Sequence, residues 1–152
     1  MKLIIDDFVS PEIKEYLECQ TGIITVELED KNGVTIIDVK YNENTTSEII
    51  MKHIELFQKN NFPTLCGFDK DTSTKLKTLT YKIDSICCEY CYKDLVREMF
   101  KNSNIKSVKS NFDLYNSNKN FVLFIEYNMN YNEKELIEFI KDNKYHRRKL
   151  WI

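Results

Sequence analysis

The chain has 152 residues, of which 42% are hydrophobic and 30% are charged, with only three Gly and two Pro. This composition excludes a disordered or fibrous protein and predicts one ordinary folded domain or two small ones. Lys and Arg total 22 against 24 Asp and Glu, so the overall charge predicts no nucleic-acid partner and no attraction to an anionic membrane.

The N-terminal stretch MKLIIDDF reaches an acidic residue at Asp6 after a very short apolar run. No later stretch approaches the roughly 20 apolar residues of a membrane span. Neither a secretory signal nor a transmembrane helix is expected, and the predicted localisation is cytoplasmic. In that compartment the five cysteines are expected to be reduced, as thiols, metal ligands or core residues, rather than a disulfide framework.

The first half of the chain predicts the element order βαββαβ. The strand KLIID precedes a helix that opens at Ser10 and Pro11, and the strands ITVELED and VTIIDVKYN flank a turn at residues 31–33. TTSEIIMKHIELF predicts a helix, because Ile50 and Ile54 share one face with Phe57. FPTLCGF predicts the last strand of this half.

The second half repeats this order after a polar linker, KDTSTKLK. TLTYKID alternates Leu79, Tyr81 and Ile83 on one face of a strand, and helical apolar spacing then predicts an amphipathic helix over residues 89–101. IKSVKSNFDLY and NFVLFIEYN predict a hairpin, NEKELIEFIKDN a second helix, and YHRRKLWI a short last strand.

The two halves align as copies of one unit. An offset of 78 residues places Ile5 on Ile83 and Leu17 on Leu95. A βαββαβ unit folds as four antiparallel strands in one layer and two helices in the other. The predicted fold class is therefore α+β, two tandem ferredoxin-like βαββαβ sandwiches that comprise residues 1–69 and 77–152.

Three cysteines lie in the stretch ICCEYC, between the predicted strand and the predicted helix: Cys87, Cys88 and Cys91. Two thiolates at i and i+3 at a helix start can converge on one ion, because unpaired helix amides stabilise their charge. Such a pair favours soft ions such as Cu(I), whereas tetrahedral Zn(II) needs two further ligands, of which Cys87 or a partner could supply one. The alternative of small core hydrophobes stays open here, and it is the expectation for the isolated Cys19 and Cys66.

The stretch KIDSICCEYCYKDLVREMF resembles the heavy-metal-associated domain family of copper chaperones and metal-ATPase tails, whose loop reads Gly-Met-x-Cys-x-x-Cys. Ser85 stands in place of the Gly, Ile86 in place of the Met, and Cys87 at the variable position. The resemblance implies binding or trafficking of a soft metal, Cu(I) foremost, with Cys88 and Cys91 as ligands and Cys87 as an additional candidate. Zn(II) or no metal at all are the remaining options, and a metal-donor or acceptor protein is the implied partner.

The first repeat differs from the second at the cysteine positions. Ser10 and Ile13 align with Cys88 and Cys91, and they cannot supply two thiolates. Residues 1–69 are therefore expected to be a degenerate repeat without metal ligands, and residues 77–152 a heavy-metal-associated-like domain that binds one ion per chain.

Three other functions compete with metal binding. A thiol oxidoreductase also places CxxC at a helix start, but its fold brings a later proline against the disulfide, whereas Pro11 and Pro63 precede these cysteines. The RNA recognition motif is also βαββαβ, but its Lys/Arg-Gly-Phe signature is missing, and Phe121, Phe124 and Tyr127 are expected in the core. The third is a non-catalytic tandem interaction or regulatory module with structural cysteines. Because the sequence contains no catalytic motif, no enzyme is predicted.

Overall fold

The computed structural model describes residues 1–5, 9–31, 33–58, 65–71, 75–83, 89–111 and 121–143, with the backbone alone for residues 89 and 90. The chain forms two compact units, Met1–Lys70 and Asp71–Ile152. Each unit contains helices and antiparallel strand pairs, so the predicted α+β class is confirmed. None of the helices in the described ranges is long and apolar enough to cross a membrane.

The first unit has the predicted βαββαβ order. Its elements are β1 (Lys2–Ile5), α1 (Ile13–Glu18), β2 (Ile23–Lys31), β3 (Val34–Tyr41), α2 (Ser47–Phe57) and β4 (Leu65–Asp69). Within this unit β1 lies between β3 and β4, and β3 lies between β2 and β1, with every pair antiparallel. The described strands of the unit therefore follow the order β2-β3-β1-β4.

Alternating burial along the strands gives the first unit its core. On β3, Ile37 and Val39 are fully buried, and the half-buried Asp38 separates them. α2 contributes Ile50 and Ile54 from its apolar face. This helix begins two residues later than predicted, at Ser47, because the Thr46 side chain caps it and accepts a hydrogen bond from the Ile49 N–H at 3.2 Å.

The second unit repeats the first five elements of this order. They are β5 (Leu76–Ile83), α3 (Glu89–Lys101), β6 (Ile105–Ser110), β7 (Phe121–Asn128) and α4 (Glu133–Asn143). β7 pairs antiparallel with both β5 and β6, which confirms the predicted hairpin, and α3 has the predicted bounds. The last strand predicted within residues 145–152 lies outside the described residues.

The linker between the two units is shorter than the sequence predicts. Leu76 pairs with Asn128 and Lys77 with Tyr127, so both belong to β5. Backbone pairing with the neighbouring strand overrides the polar composition of this stretch, because a strand can continue wherever its N–H and C=O groups find partners.

When the two units are aligned at the offset of 78 residues, buried residues of the first unit fall on buried residues of the second. Ile5 and Leu17 in the first unit are fully buried, and so are their counterparts Ile83 and Leu95 in the second. Ile13 is also fully buried, and its counterpart Cys91 has only 1% of its surface exposed. The two units therefore use equivalent positions in their cores.

One aromatic residue of β7 lies on the face opposite to the one expected. Phe121 and Tyr127 are buried, at 3% and 2% exposure, but Phe124 is 48% exposed. Side chains alternate between the two faces of a strand, so residues 121 and 127 share one face and residue 124 lies on the other. The expectation that all three aromatics lie in the core is wrong for Phe124.

Candidate dithiol site at the start of α3

The segment that carries Cys87 and Cys88 runs between two core residues. Ile83 ends β5 and Cys91 lies in the first turn of α3, and each has 1% of its surface exposed. Residues 84–88 lie outside the described residues. Cys91 is therefore the one predicted ligand whose position the structure describes.

The Cys91 sulfur is bonded in a disulfide. Cys19 and Cys66 carry free thiols, and the chain has five cysteines in all. The expectation of reduced cysteines is confirmed for Cys19 and Cys66 and is wrong for Cys91. The physical reason is proximity, because two thiols that reach each other form an S–S bond when an oxidant, such as another disulfide or molecular oxygen, takes up their two electrons and two protons.

Packing around Tyr92 holds the start of α3 in place. The Tyr92 hydroxyl lies 2.6 Å from the Ser110 Oγ at the end of β6. Its ring meets the ring of Phe121 edge to face, with 5.2 Å between the ring centroids. One turn further along the helix, Leu95 and Val96 are fully buried. The backbone that carries Cys91 is thus fixed by the residue that follows it.

The position of Cys91 has two opposite electrostatic effects on a thiolate. The first turn of a helix presents backbone N–H groups without intrahelical partners and the positive end of the helix dipole. These groups stabilise a negative sulfur. Burial of Cys91 opposes this effect, because a charge loses its hydration when it leaves water. A thiolate here is therefore favoured most when a cation neutralises it.

The two isolated cysteines do not lie in a core, contrary to expectation. Cys19 is exposed at the C-terminal end of α1, where its N–H donates to the Glu15 carbonyl at 3.2 Å. Cys66 is partly buried on β4. The expectation fails for Cys19, which is the residue at which α1 ends. Across the described ranges, no group of three or more His, Cys, Asp or Glu side chains is placed to hold a metal ion.

Lys70 is a perturbed residue that the sequence patterns did not single out. It follows β4, and its ammonium lies 5.3 Å from the centroid of the Phe68 ring. Burial lowers the pKa of Lys70 from its ordinary value of 10.5 to about 8, while the nearby carboxylate of Glu48 acts in the opposite direction. The sequence patterns carry no signal for this lysine, because burial of its side chain is set by tertiary packing.

The lowered pKa of Lys70 predicts a pH dependence of stability. Between pH 8 and 10.5 the unfolded chain binds the proton that the folded chain has lost, so the free energy of unfolding rises with pH in that window. Solvent screening limits the expected gain to about 1 kcal/mol. Urea unfolding of the wild type and Lys70→Met at several pH values measures the difference. If the free energy of unfolding changes with pH equally in both proteins between pH 8 and 10.5, the pH dependence does not come from Lys70.

Comparison with known proteins returns no match: no family model, curated protein or solved structure matches the chain. The resemblance of the cysteine loop to the heavy-metal-associated domain family therefore stays a prediction from the sequence.

Proposed function

We propose that the second unit binds one soft metal ion, foremost Cu(I), when its disulfide is reduced. Cys88 and Cys91 are the proposed ligands, and Cys87 is an additional candidate. The observation that carries this proposal is the disulfide at Cys91. A disulfide holds two sulfurs side by side, so after reduction two thiolates lie close enough to bind the same ion. A soft ion of low coordination number requires such a pair.

The chemistry of the site begins with reduction. A dithiol or phosphine reductant delivers two electrons to the S–S bond at Cys91, and two protons from water complete the two thiols. Binding of Cu(I) then displaces these protons, because the thiolate is the metal ligand. Two thiolates and one Cu(I) carry one net negative charge, which the positive end of α3 offsets.

The donor set favours a soft ion over Zn(II). Structural Zn(II) takes four ligands in a tetrahedron, commonly Cys and His. The proposed site offers only the two or three sulfurs of the ICCEYC stretch, fewer ligands than structural Zn(II) takes. Thiolates in twos or threes are the preferred environment of Cu(I).

We propose that the framework of the site is a tandem pair of ferredoxin-like sandwiches. The order of strands and helices in the first unit supports this, and so do the first five elements of the second. In the first unit the counterpart of Cys91 is the fully buried Ile13. One ion per chain is therefore expected, with the first unit in a structural or docking role.

A second candidate is a non-catalytic interaction or regulatory module in which the cysteines are structural. The specific observation in its favour is the burial of Cys91, with 1% of its surface exposed. Its counterpart Ile13 is an ordinary core residue, so Cys91 could fill the same space as a small hydrophobe. This candidate predicts no metal binding by reduced protein.

Metal content distinguishes the two candidates. The full chain is reduced with a phosphine, loaded anaerobically with Cu(I), desalted and analysed for copper. The wild type and Cys19→Ser, a matched control at an exposed free thiol, are expected to retain about one copper per chain, and Cys88→Ser much less. Equal copper in wild type and Cys88→Ser would contradict the metal site and favour structural cysteines.

A further inference from the structure

The two units carry opposite charges that the whole-chain value conceals. Residues 1–70 contain 7 Lys and Arg against 13 Asp and Glu, whereas residues 71–152 contain 15 against 11. The resulting net charges are −6 and +4, which add to the −2 of the whole chain. The net charge of the whole chain is therefore a poor guide to the second unit, which carries a positive net charge.

Phe124 lies at the centre of an exposed face of the second unit. It is 48% exposed on β7, which lies between β5 and β6. Thr80 on β5 and Lys109 on β6 stand directly opposite it. Val122, two residues away on the same face, stands opposite Lys82. Directly opposed side chains point to the same face about 4.5–5.5 Å apart, so these residues form one surface.

The other face of these strands is the core. Leu123, Ile125 and Val108 are buried there, at 1% exposure or less. The acidic residue on the exposed face, Glu126, accepts a hydrogen bond from the Ser107 hydroxyl at 2.7 Å. This bond orients the Glu126 carboxylate, which keeps its charge two residues along β7 from Phe124. Lys82 and Lys109 are both exposed.

We propose that this face binds single-stranded nucleic acid. The binding face is defined as Thr80, Lys82, Lys109, Val122 and Phe124. A base would stack on the Phe124 ring, and its flanking phosphates would lie near the two lysines. An exposed aromatic residue on a sheet, with amines at either side, is the combination that recognises unpaired bases and their backbone.

The composition of the binding face limits the strength and the kind of binding. One aromatic residue offers one base stack, so the affinity is expected to be low and tolerant of sequence. Two lysines predict a slope of log affinity against log salt of about −1.4 for a single strand. Duplex of the same length should bind more weakly, because its bases are already stacked on one another.

A titration of labelled eight-residue oligo(dT) and oligo(U) with the full chain tests the proposal by fluorescence anisotropy. Phe124→Ala is expected to weaken binding about 5-fold to 150-fold, the equivalent of one lost stack, whereas Phe124→Tyr keeps the stack. Leu56→Ala removes an apolar side chain of the first unit that is 68% exposed, and it should leave the affinity unchanged. Binding of either oligonucleotide with this pattern supports the proposal.

Three results would overturn it. If Phe124→Ala leaves the affinity unchanged, the nucleic acid binds somewhere other than this face. If neither oligonucleotide binds even at low salt, the protein does not bind single-stranded nucleic acid. A sedimentation coefficient that rises with protein concentration in the wild type, but not in Phe124→Ala, would show that a second copy of the chain covers this face instead. Circular dichroism confirms that the exposed substitution leaves the fold intact.

Discussion

Replacement of Cys91 by Ala is expected to weaken Cu(I) binding by the reduced protein about 100-fold or more, since changes to groups that merely orient a ligand already cost 10–100-fold. The reason is the loss of one of two thiolates, which leaves a single sulfur for an ion that prefers at least two. Ala suits this buried position better than Ser, because a hydroxyl without a partner costs about 1–3 kcal/mol in a core. Competition with a colorimetric Cu(I) chelator measures the affinity.

Two further variants keep this result interpretable. Cys88→Ser should weaken Cu(I) binding to a similar extent. Cys66→Ser replaces a partly buried free thiol and should leave the affinity unchanged. If the chelator strips copper equally well from the wild type and from the Cys88→Ser, Cys91→Ala double variant, these two cysteines are not the ligands.

Gly22→Ala is expected to lower the free energy of unfolding by about 2–4 kcal/mol, the sum of backbone strain and overpacking. Gly22 has a φ of +86°, and a Cβ added to it would lie 2.9 Å from both Cβ and Cγ2 of Thr45. Thr45 is buried, at 6% exposure, and cannot move aside freely. The Gly22 carbonyl also accepts a hydrogen bond from the Asn42 N–H at 2.8 Å, which holds the two segments together.

Urea denaturation measures this loss, and Glu43→Ala provides the control. Glu43 is exposed in the same turn, so its substitution should change stability by no more than about 0.5 kcal/mol. A Gly22→Ala protein as stable as the wild type would mean that the segment before β2 can shift away from Thr45 without cost.

Secondary structure was predicted most accurately where apolar residues recur at one regular spacing over many residues. α3 has the predicted bounds of 89–101, because its apolar residues recur at helical spacing while charged residues fill the other positions. β7 was predicted as one strand of a hairpin, and its antiparallel pairing with β6 confirms this. Phe124 was assigned to the wrong face because the expectation followed its residue type rather than the alternation of side chains along the strand.

The candidate site was only partly predictable. The sequence placed Cys91 at the start of a helix, and the structure confirms that position. It did not predict the disulfide, because that expectation followed from the inferred compartment rather than from the local approach of sulfurs. Lys70 was missed for a related reason: its lowered pKa arises from burial, which no spacing along the chain records.

Copper K-edge X-ray absorption of the reduced, Cu(I)-loaded full chain tests the proposed site most directly. The expected first coordination shell is made of sulfur alone, with two sulfurs, or three if Cys87 also binds. The Cys88→Ser, Cys91→Ala double variant is expected to retain no such copper. A shell of nitrogen or oxygen ligands, or a sulfur shell that persists in the double variant, would contradict the proposal that these cysteines hold a soft metal ion.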